Sequence, residues 1–245
     1  MDDFLNALRF LTRIPVPGSR LAAHANSPAQ VPWYGMVGLV VGIVLVVFAW
    51  LLDGVPPMVQ AALVLVVWIW ITGALHLDGL ADCGDAWMSG HSGQRFLEIL
   101  QDTRCGAGAL VWVVGLLLVK FSALSVLMGY GEWLALAFAP VLARLSVQVA
   151  ILRCKYARRQ GLGAALGERT DQTLTLVVSA GLVVALAVIS LPALVNGVIA
   201  VAVGFALVYA GLVRRAGGFT GDIYGTLIEV SETAVLVSLC LMIAH

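Results

Sequence analysis

Long apolar stretches broken at short polar intervals run through most of this chain. Runs of about 20 mainly apolar residues, the length a helix needs to cross a hydrocarbon layer, occur at about 33–52, 55–75, 108–128, 132–152, 174–191, 197–213 and 227–244. The pattern predicts an all-α, polytopic integral membrane helix bundle with about seven transmembrane helices. Pro192 to Asn196 separate the fifth and sixth runs and predict a tight turn, or one long re-entrant pair. Ahead of the first run, Phe4, Leu8 and Leu11 share one helical face while Arg9 and Arg13 point elsewhere, so residues 1–17 read as an amphipathic segment on a membrane surface, ended by Ile14-Pro15-Val16-Pro17. The polar intervals at about 76–107, 153–173 and 214–226 are too short for independent domains, so 1–245 reads as one membrane-embedded domain.

Composition excludes a soluble domain: of 245 residues 61% are hydrophobic and 11% charged. The formal net charge is zero, so no global field favours nucleic acid, and the partners expected are the lipid bilayer and small molecules. Twelve of the fourteen Lys and Arg residues lie in the N-terminal segment and the three polar loops, including Arg20, Arg158 and Arg159. The positive-inside rule then puts the N-terminus and those loops in the cytoplasm and, with seven helices, His245 outside. Arg158 and Arg159 read as determinants of that topology. Cys83, Cys105, Cys154 and Cys240 have no paired spacing and read as reduced thiols, and His24, His91 and His245 carry no pattern. No inverted repeat joins the halves, which weakens a transporter reading, and nothing in the pattern bears on self-association into a homo-oligomer.

The polar loops carry the chemistry. Asp78, Asp82 and Asp85 lie at i, i+4 and i+7, within roughly 60° of arc on a helix, and are three of only nine aspartates. Carboxylates crowded in that way repel unless a cation is present, and hard oxygen ligands favour Mg²⁺ or Ca²⁺. In Gly217-Gly218-Phe219-Thr220-Gly221-Asp222, the glycines would let backbone N–H groups approach an anion at a helix start, although a simple turn explains them equally well. Glu98, Asp102 and Arg104 add carboxylates and a guanidinium suited to bidentate phosphate contact. His76 reads either as a general base or as a helix cap. Lys120 and Arg144 fall mid-span, where ionisable residues are costly and usually functional. Glu229 is the anion considered for them and could neutralise only one, so a polar cavity beside them is expected, with Arg144 holding substrate groups and Lys120 ordering the packing.

The strings Phe10-Leu11-Thr12-Arg13-Ile14-Pro15-Val16-Pro17, His76-Leu77-Asp78-Gly79-Leu80-Ala81-Asp82-x-x-Asp85, Asp102-Thr103-Arg104-x-Gly106 and Gly217-Gly218-x-Thr220-Gly221-Asp222-x-x-Gly225 closely resemble the cobalamin synthase family, as does Arg158 to Gly163. Cys83-Gly84, Ala86 and Phe219 depart from the usual residues at their places, which touches local packing more than the carboxylates. The resemblance implies a Mg²⁺-dependent adenosylcobinamide-GDP ribazoletransferase of the bacterial inner membrane, active at its cytoplasmic face. Such an enzyme joins adenosylcobinamide-GDP to α-ribazole or α-ribazole 5′-phosphate and releases GMP. It further implies Asp78, Asp82, Asp85 and Asp222 as metal ligands, and Asp82, Asp85, Asp222, Arg104 and His76 as catalytic groups, with the base left open between Asp85 and Asp222. Arg104, Asp102, Gly218, Thr220, Gly221, Lys120 and Arg144 would bind substrate. An ion- or proton-coupled transporter with Lys120, Arg144 and Glu229 as relay groups, and a structural membrane scaffold, are the alternatives.

Overall fold

A computed structural model describes residues 2–16, 27–158 and 166–243. Pro17, Arg20, His24, Arg159 to Gly163 and His245 lie outside the described residues. The described chain is a bundle of helices, with one isolated parallel bridge between Tyr156 and Phe219. In order these are α1 (Asp2–Leu11), a 3-10 turn (Pro28–Trp33) leading into α2 (Tyr34–Leu51), α3 (Pro57–Thr72), α4 (Leu75–Met88), α5 (Gln94–Ile99), α6 (Ala107–Gly129) and α7 (Ala135–Arg153). There follow α8 (Leu166–Arg169), α9 (Gln172–Val208), a π turn (Tyr209–Val213), α10 (Arg214–Ala216) and α11 (Gly221–Ile243).

Among the described residues, five helical stretches are long and apolar enough to cross a membrane, or six where the bent pair α3–α4 counts as one span. Their outward faces, such as Leu110, Val114 and Leu118 on α6, expose large apolar side chains of the kind that belong against lipid. This is the polytopic helix bundle that the hydrophobic runs predict.

Two features differ from the runs. The turn expected at Pro192 to Asn196 is not there, because those residues are helical. The break falls at Ser190, which is extended (φ −160°, ψ 106°) and whose Oγ accepts from the Ala193 N–H at 3.3 Å. Ser190 therefore caps a new helix in which Pro192 occupies the first turn, the position proline favours. Ser179, before the break, meets Gln148 near the end of α7, whereas Asn196 and Gly197, after it, reach Ser238 and Val235 on α11 and Leu142 on α7. The limbs 172–189 and 191–208 thus run in opposite directions. The second difference is α1, expected on the lipid surface. It buries Asn6, Ala7, Leu8 and Leu11 against the protein, because Thr12 and Arg13 clip its end in place: Thr12 Oγ1 donates to Leu8 O at 2.6 Å and Arg13 N to Ile71 O at 2.6 Å.

The core has two apolar clusters, one around Leu45, Trp68, Leu124 and Leu236 and the other around Leu8, Phe96, Val147 and Ile223. Between them Lys120, Arg144, Glu229 and Glu232 are buried together. Close helix approach depends on small residues. A Cβ on Gly38 would lie 2.5 Å from Pro140 O, so glycine is what lets α2 meet α7 backbone to backbone.

Candidate active site

The bend between α3 and α4 places the acidic segment. Gly73 (φ 63°) closes α3 in the left-handed conformation, its N–H and that of Ala74 returning to carbonyls of the last turn. Ala74 is also left-handed (φ 56°), and together they turn the axis by 91°. α4 therefore leaves the direction of the spans and carries Asp78, Asp82 and Asp85 along one helix, as the spacing predicts.

The start of α11 meets this helix. Thr220, fully buried, caps it: its Oγ1 accepts from Ile223 N at 3.3 Å and donates to Asp222 Oδ2 at 3.3 Å. Thr226 Oγ1 donates to Gly79 O at 3.1 Å. A Cβ on Gly79 would sit 2.7 Å from Asp222 O, and one on Gly225 would sit 3.2 Å from His76 Cα. These two glycines thus let α4 and α11 pack closely enough for Asp222 to join the α4 carboxylates. Gly218 serves another contact: its φ is 158°, and a Cβ there would crowd Lys155 O and Ala157 N, where Phe219 exchanges backbone hydrogen bonds of 2.8 Å with the 155–157 segment. Gly221 has open space around it.

The carboxylates are unequal. Asp82 is half-buried, and burial first, then the charges of Asp222, Asp78 and Asp85, push its carboxyl up to about 6. Asp85 is engaged elsewhere: its oxygens accept from Gly106 N at 2.7 Å and Ala109 N at 2.9 Å, capping α6. Asp78 is exposed. Among the described residues no three His, Cys, Asp or Glu side chains converge closely enough to form a metal cage. The donor set nevertheless fits Mg²⁺, which is usually held by one or two carboxylates with substrate phosphates rather than by a cage of protein ligands.

A cavity of about 470 Å³ opens beside these carboxylates, between α1, α2, α4, α7 and α11. Asp78, Arg158, Gly221 and Asp222 line its charged side, and Phe10, Tyr34, Val147, Tyr224 and Ile228 its apolar side. Arg158 Nη2 lies 3.9 Å from Asp222 Oδ2 and makes no hydrogen bond.

The sequence matches the family model of cobalamin-5-phosphate synthase over residues 3–240. The chain belongs to that family. Proteins named adenosylcobinamide-GDP ribazoletransferase include one from Pseudomonas aeruginosa that is 44% identical over 245 residues, covering 98% of each chain. One from Stutzerimonas stutzeri is 40% identical over 246 residues with complete coverage of both, and one from Pseudomonas putida is 39% identical over 243 residues, covering 98% of this chain and 99% of that one. No solved structure matches.

The family motif is only partly gathered into one site. Asp78, Asp82, Asp222, Gly221 and His76 meet at or beside the cavity, with Thr220 beneath as a cap. Asp102 and Arg104 do not line it: they face solvent and pair with each other, Arg104 Nε donating to Asp102 Oδ1 at 2.9 Å, which holds the Asp102 carboxyl down at about 2. Lys120 and Arg144 do not line it either. Lys120 Nζ donates to Glu229 Oε2 at 3.0 Å and Glu232 Oε2 at 2.6 Å, and Arg144 Nη1 to Glu232 Oε1 at 2.9 Å, so the anion that balances the second cation is Glu232, about three turns into α11. Sequence reasoning passed over Glu232, and it read Arg158 as a topology residue although its side chain lines the cavity. Tyr34, Tyr156 and Tyr224 gave no signal, since aromatics near membrane interfaces ordinarily serve as anchors.

Proposed function

We propose that this chain transfers the adenosylcobinamide phosphate of adenosylcobinamide-GDP to α-ribazole or its 5′-phosphate, giving adenosylcobalamin or its 5′-phosphate and GMP. The observation that carries this reading is the meeting of the α4 carboxylates with Asp222, across Gly79, at the charged side of a half-apolar cavity. Mg²⁺, held by Asp82 with Asp78, would supply charge neutralisation at the diphosphate.

The acceptor's ribose 3′-hydroxyl attacks the phosphorus attached to the cobinamide arm. The bond from that phosphorus to the GMP oxygen breaks, and the hydroxyl proton passes to a carboxylate. Asp222 is the better placed base, because both oxygens of Asp85 are already taken by backbone N–H groups. Arg158, whose Nη2 has no hydrogen-bond partner and lies 3.9 Å from Asp222 Oδ2, is suited to a phosphate oxygen and takes the role that the motif suggests for Arg104. Family membership favours transfer over transport. Purified protein in detergent with both substrates and Mg²⁺ is expected to release GMP in step with cobalamin formation; a transporter or a scaffold would release none.

We also propose seven spans, counting the two limbs of α9 separately, with the N-terminus and the site at the cytoplasmic face of the bacterial inner membrane. In a background lacking the native cysteines, Ser89→Cys is expected to resist a membrane-impermeant thiol reagent on intact cells, whereas Gly54→Cys, in the exposed α2–α3 turn, is expected to react. The opposite labelling would invert the orientation.

A further inference from the structure

The cavity beside the carboxylates is graded along its length. Tyr34, His76, Val147 and Ile228, each at most 4% exposed, form a buried and mainly apolar end, whereas Asp78 and Gly221 are exposed and Arg158 and Asp222 half-exposed at the mouth. His76 is 3% exposed, and neither Nδ1 nor Nε2 has a hydrogen-bond partner. A buried imidazole left unsatisfied is costly, so a ligand that completes it gains correspondingly. Tyr156 and Tyr224 stack at 6.3 Å along the wall, and Phe219 backs Tyr224 at 5.1 Å. This gives the wall flat, supported aromatic surface.

We propose that this cavity is the acceptor subsite: it seats the benzimidazole base of α-ribazole at its buried end and presents the ribose at its charged mouth. The inference rests on the transferase reading and adds which substrate enters, and which way round. Size and polarity both decide it. A volume of about 470 Å³ suits a bicyclic base with one sugar, within the range of small-ligand pockets, and is far too small for a corrin macrocycle with its amide arms. The corrinoid must then remain outside the mouth, on the side of Asp78 and Asp82. Guanine would bring a row of donors and acceptors into the buried end, where His76 and the Tyr34 hydroxyl are the polar groups among the lining residues, and would leave most of that row unpaired. Dimethylbenzimidazole brings two methyl groups and a single free ring nitrogen, an acceptor that the unpartnered His76 ring can satisfy with one N–H. The base so placed leaves the ribose hydroxyls beside Asp222, where the proton must go.

The test separates the two substrates. In steady-state assays of the detergent-purified enzyme, Tyr224→Ala and Ile228→Phe, which strips the wall and fills the end respectively, are each expected to raise the KM for α-ribazole by about tenfold or more. The KM for adenosylcobinamide-GDP should stay within about twofold. His76→Phe keeps a ring of similar bulk and removes the donor; it should narrow the preference for α-ribazole over an analogue whose free ring nitrogen is replaced by carbon. Thermal midpoints of the variants identify any that fail to fold, and Tyr156→Ala, at a half-buried position, provides a further wall variant. Wild-type enzyme that turns over normally while all variants keep the wild-type KM for α-ribazole, or lose affinity for the corrinoid instead, overturns the subsite and spares the transferase reading. Wild-type enzyme that releases no GMP overturns that reading first.

Discussion

Replacing Asp82 with Asn is expected to lower the turnover of ribazole transfer by a factor on the order of 10²–10³ in a protein that still folds and inserts. The substitution keeps volume and removes one charge. Asp82 is the α4 carboxylate facing the charges of Asp222, Asp78 and Asp85 at once, and burial with that repulsion already pushes its carboxyl up to about 6. A group in that position favours a cation strongly, so the lost charge should appear as a weaker requirement for, and a weaker response to, Mg²⁺. Asp85→Asn provides the contrast. Its oxygens hold the Gly106 and Ala109 N–H groups, so it should lose about 1 kcal/mol of stability from the α6 cap and lose less turnover than the Asp82 variant. Unchanged turnover of the Asp82 variant at limiting Mg²⁺ would remove it from the metal set.

The second large effect is on stability. Glu232 takes one hydrogen bond from Lys120 and one from Arg144, and all three side chains are almost wholly inaccessible. With Glu229 the group is electrically balanced, two cations against two anions, and Trp68 places its ring 4.2 Å below the Lys120 ammonium. Glu232→Gln leaves one positive charge without compensation between the two apolar clusters. Removing one member of a buried pair costs about 3–5 kcal/mol, more than the ~1 kcal/mol typical of a neutral hydrogen bond between membrane helices. The variant should therefore melt far earlier in detergent or fail to accumulate. Adding Arg144→Met restores the balance, so the double variant should recover most of the loss. A double variant no more stable than Glu232→Gln alone would show that charge balance is not what the cluster contributes. Because the network joins α3, α6, α7 and α11, the same measurement reports on how the bundle is held together.

The class of structure follows from the apolar runs alone, because the requirement that every backbone group in lipid be satisfied within its own segment makes a run of about 20 apolar residues a helix whatever surrounds it. The spacing of Asp78, Asp82 and Asp85 was equally sufficient to put them along one helix, since that needs only the helical period. The N-cap at Ser190 was also written locally, in Ser-Leu-Pro, but Pro192 and Asn196 drew the expected turn a few residues past the actual break. Everything that depended on which helices touch was decided by the tertiary structure. Glu232 became the partner of two cations 112 and 88 residues away only when α11 packed on α6 and α7. Asp85 became a helix cap, and Asp102 and Arg104 a solvent-facing pair, because backbone donors and exposure compete for charged side chains that a motif alone would send to one site. The cavity is the clearest case. Its residues come from six separate parts of the chain, several of them in the family's motif strings but none with a local pattern that shows which others it meets, and close approach at Gly79 and Gly225 is what brings them around one space. Local order follows from the chain's own spacing, whereas a site made of long-range contacts exists only once the helices have packed.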